Sequence, residues 1–371
     1  MFLMSVPFFD LNRQNIALRL ELDQAVAAVI TSGKFILGET VAEFERQAAA
    51  YCGTAHAIGV ASGTDALHLA LKAVGVKAGD EVITTPFTFV ATADAIAYCD
   101  AIPVFVDIEP NTFNIDPAKI EQAITSKTKA IIPVHLYGQS CDMDKIMALA
   151  KKHNLAVVED CAQAIGAKLA GKKVGSIGNI GCFSFFPTKN LGCFGDGGLV
   201  TTNDSRLADE LRVLRGHGSR KTYHYDLIGF NSRLDALQAA VLTVKLPQLD
   251  KYLALRGRNA AIYRQRLAGL PGVTLPGELP LSLHTYNQFT IRAKDRDQLI
   301  DHLKAKGVGA AVYYPLSLHL QNAFADLGYK PGSLPQSELA QSEVLSLPIF
   351  PELTEAEVET AASAVREFYQ R

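Results

Sequence analysis

Between about Asn12 and His217, stretches with helical periodicity alternate with short apolar runs rich in β-branched residues. The helix-like stretches cover residues 16–32, 41–51 and 64–74, and each stops at a glycine (Gly33, Gly53, Gly75), the residue that ends a helix at least cost. The runs that read as strands are 56–60, 81–85, 102–106, 130–137, 155–159, 182–186 and 199–202. Several are apolar throughout, as strands covered on both faces must be. The sequence therefore predicts an α/β domain on a mostly parallel, seven-stranded sheet.

After Arg233 the pattern changes. A long helical stretch, 234–267, contains Pro247, which predicts a kink or break. It leads into a strand at 287–292, a helix at 296–306, a strand at 310–314 and closing helices at 338–345 and 354–369. The expected organisation is a large α/β domain over residues 1–245 and a smaller C-terminal α+β domain over 246–371.

Length and charge narrow the function classes. At about 150 residues per domain, 371 residues make more than one compact unit. Thirty-six basic and 38 acidic residues leave a net charge of −2, which argues against a nucleic-acid binder. No uninterrupted apolar run approaches the roughly 18 residues of a membrane span. The apolar stretch 1–9 lacks a positive flank and a small-residue cleavage site, so it does not read as an export signal, and the expected location is cytoplasmic. The six cysteines form no C-x-x-C pair and read as core-filling thiols, with neither a metal nor a disulfide expected.

Several motifs carry chemistry. Ser62-Gly63-Thr64-Asp65 joins a strand to an Ala/Leu-rich helix, with Thr64 as the expected N-cap. It suits an anion held on free helical amides, or a plain helix cap. The strand ending Glu159-Asp160 puts Asp160 at the mouth of a cleft, since ligands of such sheets lie beyond the carboxyl ends of strands; a turn cap is the plainer reading. Lys189 follows an apolar strand and precedes a glycine-rich loop, where desolvation lowers an amine's pKa and frees it as a nucleophile. Standing alone it would read as a solvated loop lysine. The stretch 166–173 resembles a nucleotide-triphosphate loop, but Lys173 stands where a hydroxyl must hold magnesium, and the segment reads as a hairpin.

Taken together, SGTDAL (62–67), TPFTFVATADAI (85–96), VEDCAQAIGA (158–167), FSFFPTKNLG (183–192), GDGGLVTT (195–202) and GFNSRLDALQAAVL (229–242) resemble the DegT/DnrJ/EryC1/StrS aminotransferases, over nearly the whole chain. The resemblance implies an aspartate-aminotransferase-like fold and a pyridoxal 5'-phosphate (PLP) cofactor that passes through pyridoxamine phosphate. It makes Lys189 the lysine that joins the cofactor, Asp160 the partner of its pyridine nitrogen, and Gln163 the neighbour of its phenolic oxygen. Phe89 matches the aromatic that stacks on the ring, and Gly63, Thr64 and Ser184 match the phosphate cup. Asn231 matches a residue that reaches the phosphate from the other subunit of a homodimer with shared sites. His135, Tyr137, His217, Tyr223, Tyr313, Tyr314 and His319 align with places that contact sugar or nucleotide; each also reads as a packed polar residue.

The implied reaction moves an amino group from L-glutamate to a nucleotide-linked keto-sugar. The stretch GFNSRLDALQAA favours C3 of a dTDP-3-keto-6-deoxyhexose, giving a dTDP-3-amino-3,6-dideoxyhexose, with a UDP-linked or 4-keto substrate as the alternative. A non-catalytic PLP- or sugar-binding regulatory protein is the other class, against which Lys189, Asp160 and Ser184 stand. A dehydratase branch with histidine at the lysine position is disfavoured by Lys189 itself.

Overall fold

The computed structural model describes residues 5–370, so the start of the apolar N-terminal stretch, residues 1–4, lies outside the described residues. Seven strands form the central sheet: β1 (His56–Val60), β2 (Glu81–Thr84), β3 (Ile102–Phe105), β4 (Thr128–Ile131), β5 (Ala156–Asp160), β6 (Ile180–Ser184) and β7 (Gly198–Thr202). Their order is β1-β7-β6-β5-β4-β2-β3. The strands from β6 to β3 run parallel, whereas β7 is antiparallel to both β6 and β1. A parallel neighbour needs a long crossover, and the segment between β6 and β7 is a loop with no helix, so the chain returns in the opposite sense.

Successive residues of a strand face opposite sides, and each side carries its own core. One gathers Phe44, Phe183, Phe185, Leu199 and Leu234 beneath the helices Glu39–Cys52 and Ala236–Lys245. The other gathers Ile58, Leu67, Cys182, Val200 and Leu211 beneath Gly63–Ala73 and Ser205–Arg215. All six cysteines are buried and unpaired within such cores.

The C-terminal unit has a separate core around Tyr263, Phe289, Leu345, Leu347 and Val358. Its sheet is antiparallel, with β9 (Phe289–Ala293) between β8 (Val273–Thr274) and β10 (Val344–Leu347). Pro247 lies in a short 3-10 turn, Leu246–Gln248, that breaks the long helical stretch. Beyond it the helix Leu249–Leu267 joins the two units, because Leu249 and Leu253 belong to the first core and Ala260, Tyr263 and Leu267 to the C-terminal one.

Four sequence expectations change. The run 130–137 is a strand only to Ile131, since Pro133 cannot donate to a ladder, although Val134 still bridges Asp160. The segment 310–314 makes a single bridge, Ala311 to Ser346, before Pro315 turns it away. The helix expected at 338–345 is Pro335–Glu343, and Val344–Leu347 leaves it to pair with β9. The N-cap of Gly63–Ala73 is Ser62, whose Oγ accepts from the Asp65 amide at 3.0 Å, and not Thr64.

Candidate active site

Three sequence-distant pieces meet at one end of the sheet: the last residues of β5 and β6, and the start of the helix after β1. Asp160 closes β5 and is 5% exposed. Its Oδ2 accepts from the Thr92 hydroxyl at 2.8 Å, and its Oδ1 from the Ala162 amide at 3.1 Å. The Thr92 proton is thus committed to Asp160, so Thr88 Oγ1, 3.1 Å away, donates to Thr92. Burial pushes the Asp160 carboxyl above its ordinary pKa, opposed by these hydrogen bonds and by the nearby Lys189 ammonium. No cationic side chain is hydrogen-bonded to it among the described residues, and a buried carboxylate so placed is a site for a cation.

Lys189 sits in the loop after β6, anchored by its amide to the Phe186 carbonyl at 2.9 Å. Burial lowers its pKa to about 8, while Asp160 pulls the other way. Among the described residues its amine makes no hydrogen bond or ion pair, so a far larger share of it is free base near neutral pH than in an ordinary lysine.

The third piece is a cradle for an anion. Ser62 takes the Asp65 amide, which leaves the Gly63 and Thr64 amides without acceptors among the described residues at the positive end of an eleven-residue helix. Gly63 faces Ser184, and a Cβ there would stand 2.7 Å from Ser184 Cβ. On the other flank, a Cβ on Gly198 would stand 2.2 Å from the Ser62 carbonyl oxygen. Ser184 Oγ accepts from the Phe186 amide at 3.3 Å and keeps its own proton to donate. These features match the chemistry of PLP: free amides and a hydroxyl for a phosphate, a buried acid for a pyridinium, and an unprotonated amine for an aldehyde carbon.

Gln163 lies beside Asp160 on the same loop; its Oε1 accepts from the Tyr137 amide at 2.7 Å and its Nε2 donates to the Tyr314 hydroxyl at 3.0 Å. Phe89 is 56% exposed, with its ring 6.4 Å from that of Tyr314. Tyr137 donates its hydroxyl to the Tyr313 carbonyl. Gln163, Phe89 and Tyr313 therefore gather around Tyr314, which lies within electrostatic reach of Asp160.

Other expected sugar contacts lie elsewhere. His135 is fully buried: Nδ1 accepts from the Cys141 amide at 3.0 Å, which places the proton on Nε2, 2.9 Å from Glu159. With both nitrogens used inside the protein, it has no atom to offer a sugar. Tyr137, 2% exposed, is likewise part of the wall and not of its surface. His319 is 2% exposed and bonded through Nε2 to Glu338 at 3.1 Å, which removes that nitrogen from the cleft. His217 and Tyr223 lie on an outward arm, the hairpin Ser219–Lys221 with His224–Tyr225, and Asn231 is exposed at its base. The ligand-type atoms of His135, Glu159 and Cys161 come within 4.8 Å of one another. Glu159, however, already accepts from His135 and from the amides of Gly175, Ile177 and Gly178, and burial holds the Cys161 thiol well above its usual pKa.

The sequence reading missed Thr92 and Ser62. Thr88 and Thr92 have the i, i+4 spacing of neighbours on a helix face, the one signal available. Ser62 competes with Thr64 for the cap, and only the end of β1 at Val60 decides it.

The DegT/DnrJ/EryC1/StrS aminotransferase family matches residues 17–366. The chain is 53% identical to a pleiotropic regulatory protein of Geobacillus stearothermophilus, over 99% of each chain. It is 48% identical to a UDP-N-acetyl-3-dehydro-alpha-D-glucosamine 3-aminotransferase of Acidithiobacillus ferrooxidans, over 98% of this chain and 97% of that one. A dTDP-3-amino-3,4,6-trideoxy-alpha-D-glucose transaminase of Streptomyces venezuelae is 46% identical, over 99% of this chain and 97% of that one. Among solved structures, DesV of S. venezuelae superposes with a TM-score of 0.97 at 46% identity, covering 99% of both chains.

Proposed function

Because the chain belongs to the DegT/DnrJ/EryC1/StrS aminotransferase family, we propose that it transfers an amino group from L-glutamate to C3 of a dTDP-linked 3-keto-6-deoxyhexose. It is a PLP-dependent aminotransferase of the aspartate-aminotransferase fold. The observation that carries the reading is the convergence of Lys189, Asp160 and the unbonded amides of Gly63 and Thr64 on one cleft.

When bound, PLP supplies an electron sink conjugated to the carbon that bears the amine. The chain's residues do the rest. The Gly63 and Thr64 amides and the Ser184 hydroxyl bind the phosphate, joined by Asn231 of a second copy. Asp160 holds a proton on the pyridine nitrogen, and Thr92 and the Ala162 amide keep its charge in place. Lys189 Nζ, in the fraction that is free base, takes the proton from Cα of the glutamate donor. Gln163 and Tyr314 line the wall beside it. Exposed apolar side chains support the homodimer: Ile16 (75% exposed), Leu20 (67%) and Ile228 (90%) are poorly placed in a lone subunit.

C3 chemistry is supported by two relatives whose names place the amine at C3, one on a UDP-sugar and one on a dTDP-sugar. The alternative substrate is therefore a UDP-linked 3-keto sugar, and after it a 4-keto sugar. Assay of dTDP- and UDP-linked 3-keto and 4-keto sugars, with glutamate as donor and the amine product as readout, tests the assignment. Turnover confined to 4-keto substrates would reject C3. The name of the Geobacillus relative supports a second reading, a cofactor-binding regulator. Such a protein would take up PLP and show its visible band, yet glutamate would leave that band unchanged.

A further inference from the structure

The phosphate cradle and the base of the outward arm are hydrogen-bonded to one another within one chain. Ser232, the residue after Asn231, is 1% exposed. Its hydroxyl donates to Asp65 Oδ2 at 2.7 Å and accepts from the Ala61 amide at 3.4 Å. Ala61 and Asp65 flank the segment Ser62-Gly63-Thr64, so one buried hydroxyl holds both ends of the anion loop. The backbone of the arm's base is fixed as well: the Ser232 amide donates to the Arg215 carbonyl at 3.1 Å, and Asn231 bridges Gly216. Arg215 in turn donates to the Gly59 carbonyl, on β1 itself, at 2.7 Å.

A carboxylate in the first turn of a helix that receives a phosphate would repel it. A hydrogen bond from Ser232 orients the Asp65 carboxylate, and the same bond holds the residue next to Asn231.

We propose that Asp65 and Ser232 are positioning residues that couple the phosphate cradle of one subunit to the Asn231 side chain that completes the cradle of the other. The proposal rests on the dimer with shared sites set out above. Ser232, tied to both ends of one subunit's anion loop, thereby sets where Asn231 meets the phosphate of the other.

Mixed dimers test this with cofactor retention as the readout. A reporter subunit is native. Its helper carries Lys189→Ala, so that only the reporter can join PLP covalently, and reporter-bound cofactor is counted after borohydride reduction and dialysis. Adding Ser232→Ala to the helper is expected to weaken PLP binding in the reporter by about ten- to a hundredfold, the range of one lost hydrogen bond to a charged group. Asp65→Asn in the helper, which keeps the shape, is expected to act in the same direction more weakly, and thermal melts check that both fold. A third helper, with Asn231→Ala, tests the shared site itself. If Asn231→Ala weakens the reporter and Ser232→Ala does not, the coupling is refuted while the shared site survives. If neither helper alters the reporter, the shared site is refuted, and the coupling with it.

Discussion

Replacing Asp160 with asparagine should move two properties in opposite directions. In the native protein burial brings Lys189 to a pKa of about 8, and the Asp160 charge is what keeps it from falling lower. At pH 7.5 an amine of that pKa is about one quarter unprotonated, against about one part in a thousand for an ordinary lysine at 10.4. Asp160→Asn removes the supporting charge, so the midpoint for PLP capture by the apo-protein shifts below about 8, and capture at pH 7 speeds up or holds steady. Transamination goes the other way. The pyridine nitrogen loses its buried counter-charge, a loss on the order of 3–5 kcal/mol, which is roughly a hundredfold or more in rate. Capture rates from pH 6 to 9.5, referenced to a simple alkyl amine under the same conditions, give the midpoint. Single-turnover glutamate half-reactions at saturating PLP give the chemistry. A native midpoint near 10, or a near-normal half-reaction in Asp160→Asn, would refute the pairing of the two residues.

Gly63→Ala places a methyl 2.7 Å from Ser184 Cβ in the cradle, and PLP should leave the variant on dialysis at least about tenfold faster, with the apo-protein melting lower as well because Ser184 must shift. Thr92→Val deletes the hydroxyl on Asp160 Oδ2 while keeping the side chain's shape; the glutamate half-reaction should slow by about tenfold, with PLP affinity less affected. Arg13 and Thr354 hold Glu357 down at about 2 from its ordinary value of 4.5. Its stabilising effect is therefore full above about pH 4.5 and is lost as pH falls toward 2, a swing of about 2 kcal/mol once solvent screening at Arg13 is allowed for. In urea melts, Glu357→Gln should lower stability at pH 7 and flatten that acid limb; an unchanged limb would remove the pair from it.

The seven central strands were legible because each is a compact apolar run with a glycine, proline or polar cluster at its ends, and local pattern alone marks such elements. Val344–Leu347 was not, since its residues continue a helical spacing and become a strand only by pairing with Phe289–Ala293, some fifty residues earlier. Lys189, Asp160 and Gly63 stood out only through several motifs occurring together, since each alone also read as a loop lysine, a turn cap or a helix cap. The environment of His135 did not. Its partner Glu159 lies 24 positions away, and no spacing rule announces that a histidine in the sequence is held inside the sheet.

The reversed strand Gly198–Thr202 has a consequence for how the machinery tolerates change. Ser184 pairs with Gly198 across the two strands, so the loop that carries Lys189 is a closed thumb, stapled at its root by the same serine that faces Gly63. The reach from amine to phosphate cradle is set mainly by this hairpin and the helix start at Gly63, with Asn190, beside Lys189, also donating to the Thr285 carbonyl of the C-terminal unit at 3.2 Å. Substitutions on the wall that carries Tyr313 and Tyr314 are therefore expected to spare the amine's placement, whereas a residue inserted into the thumb misplaces the amine itself.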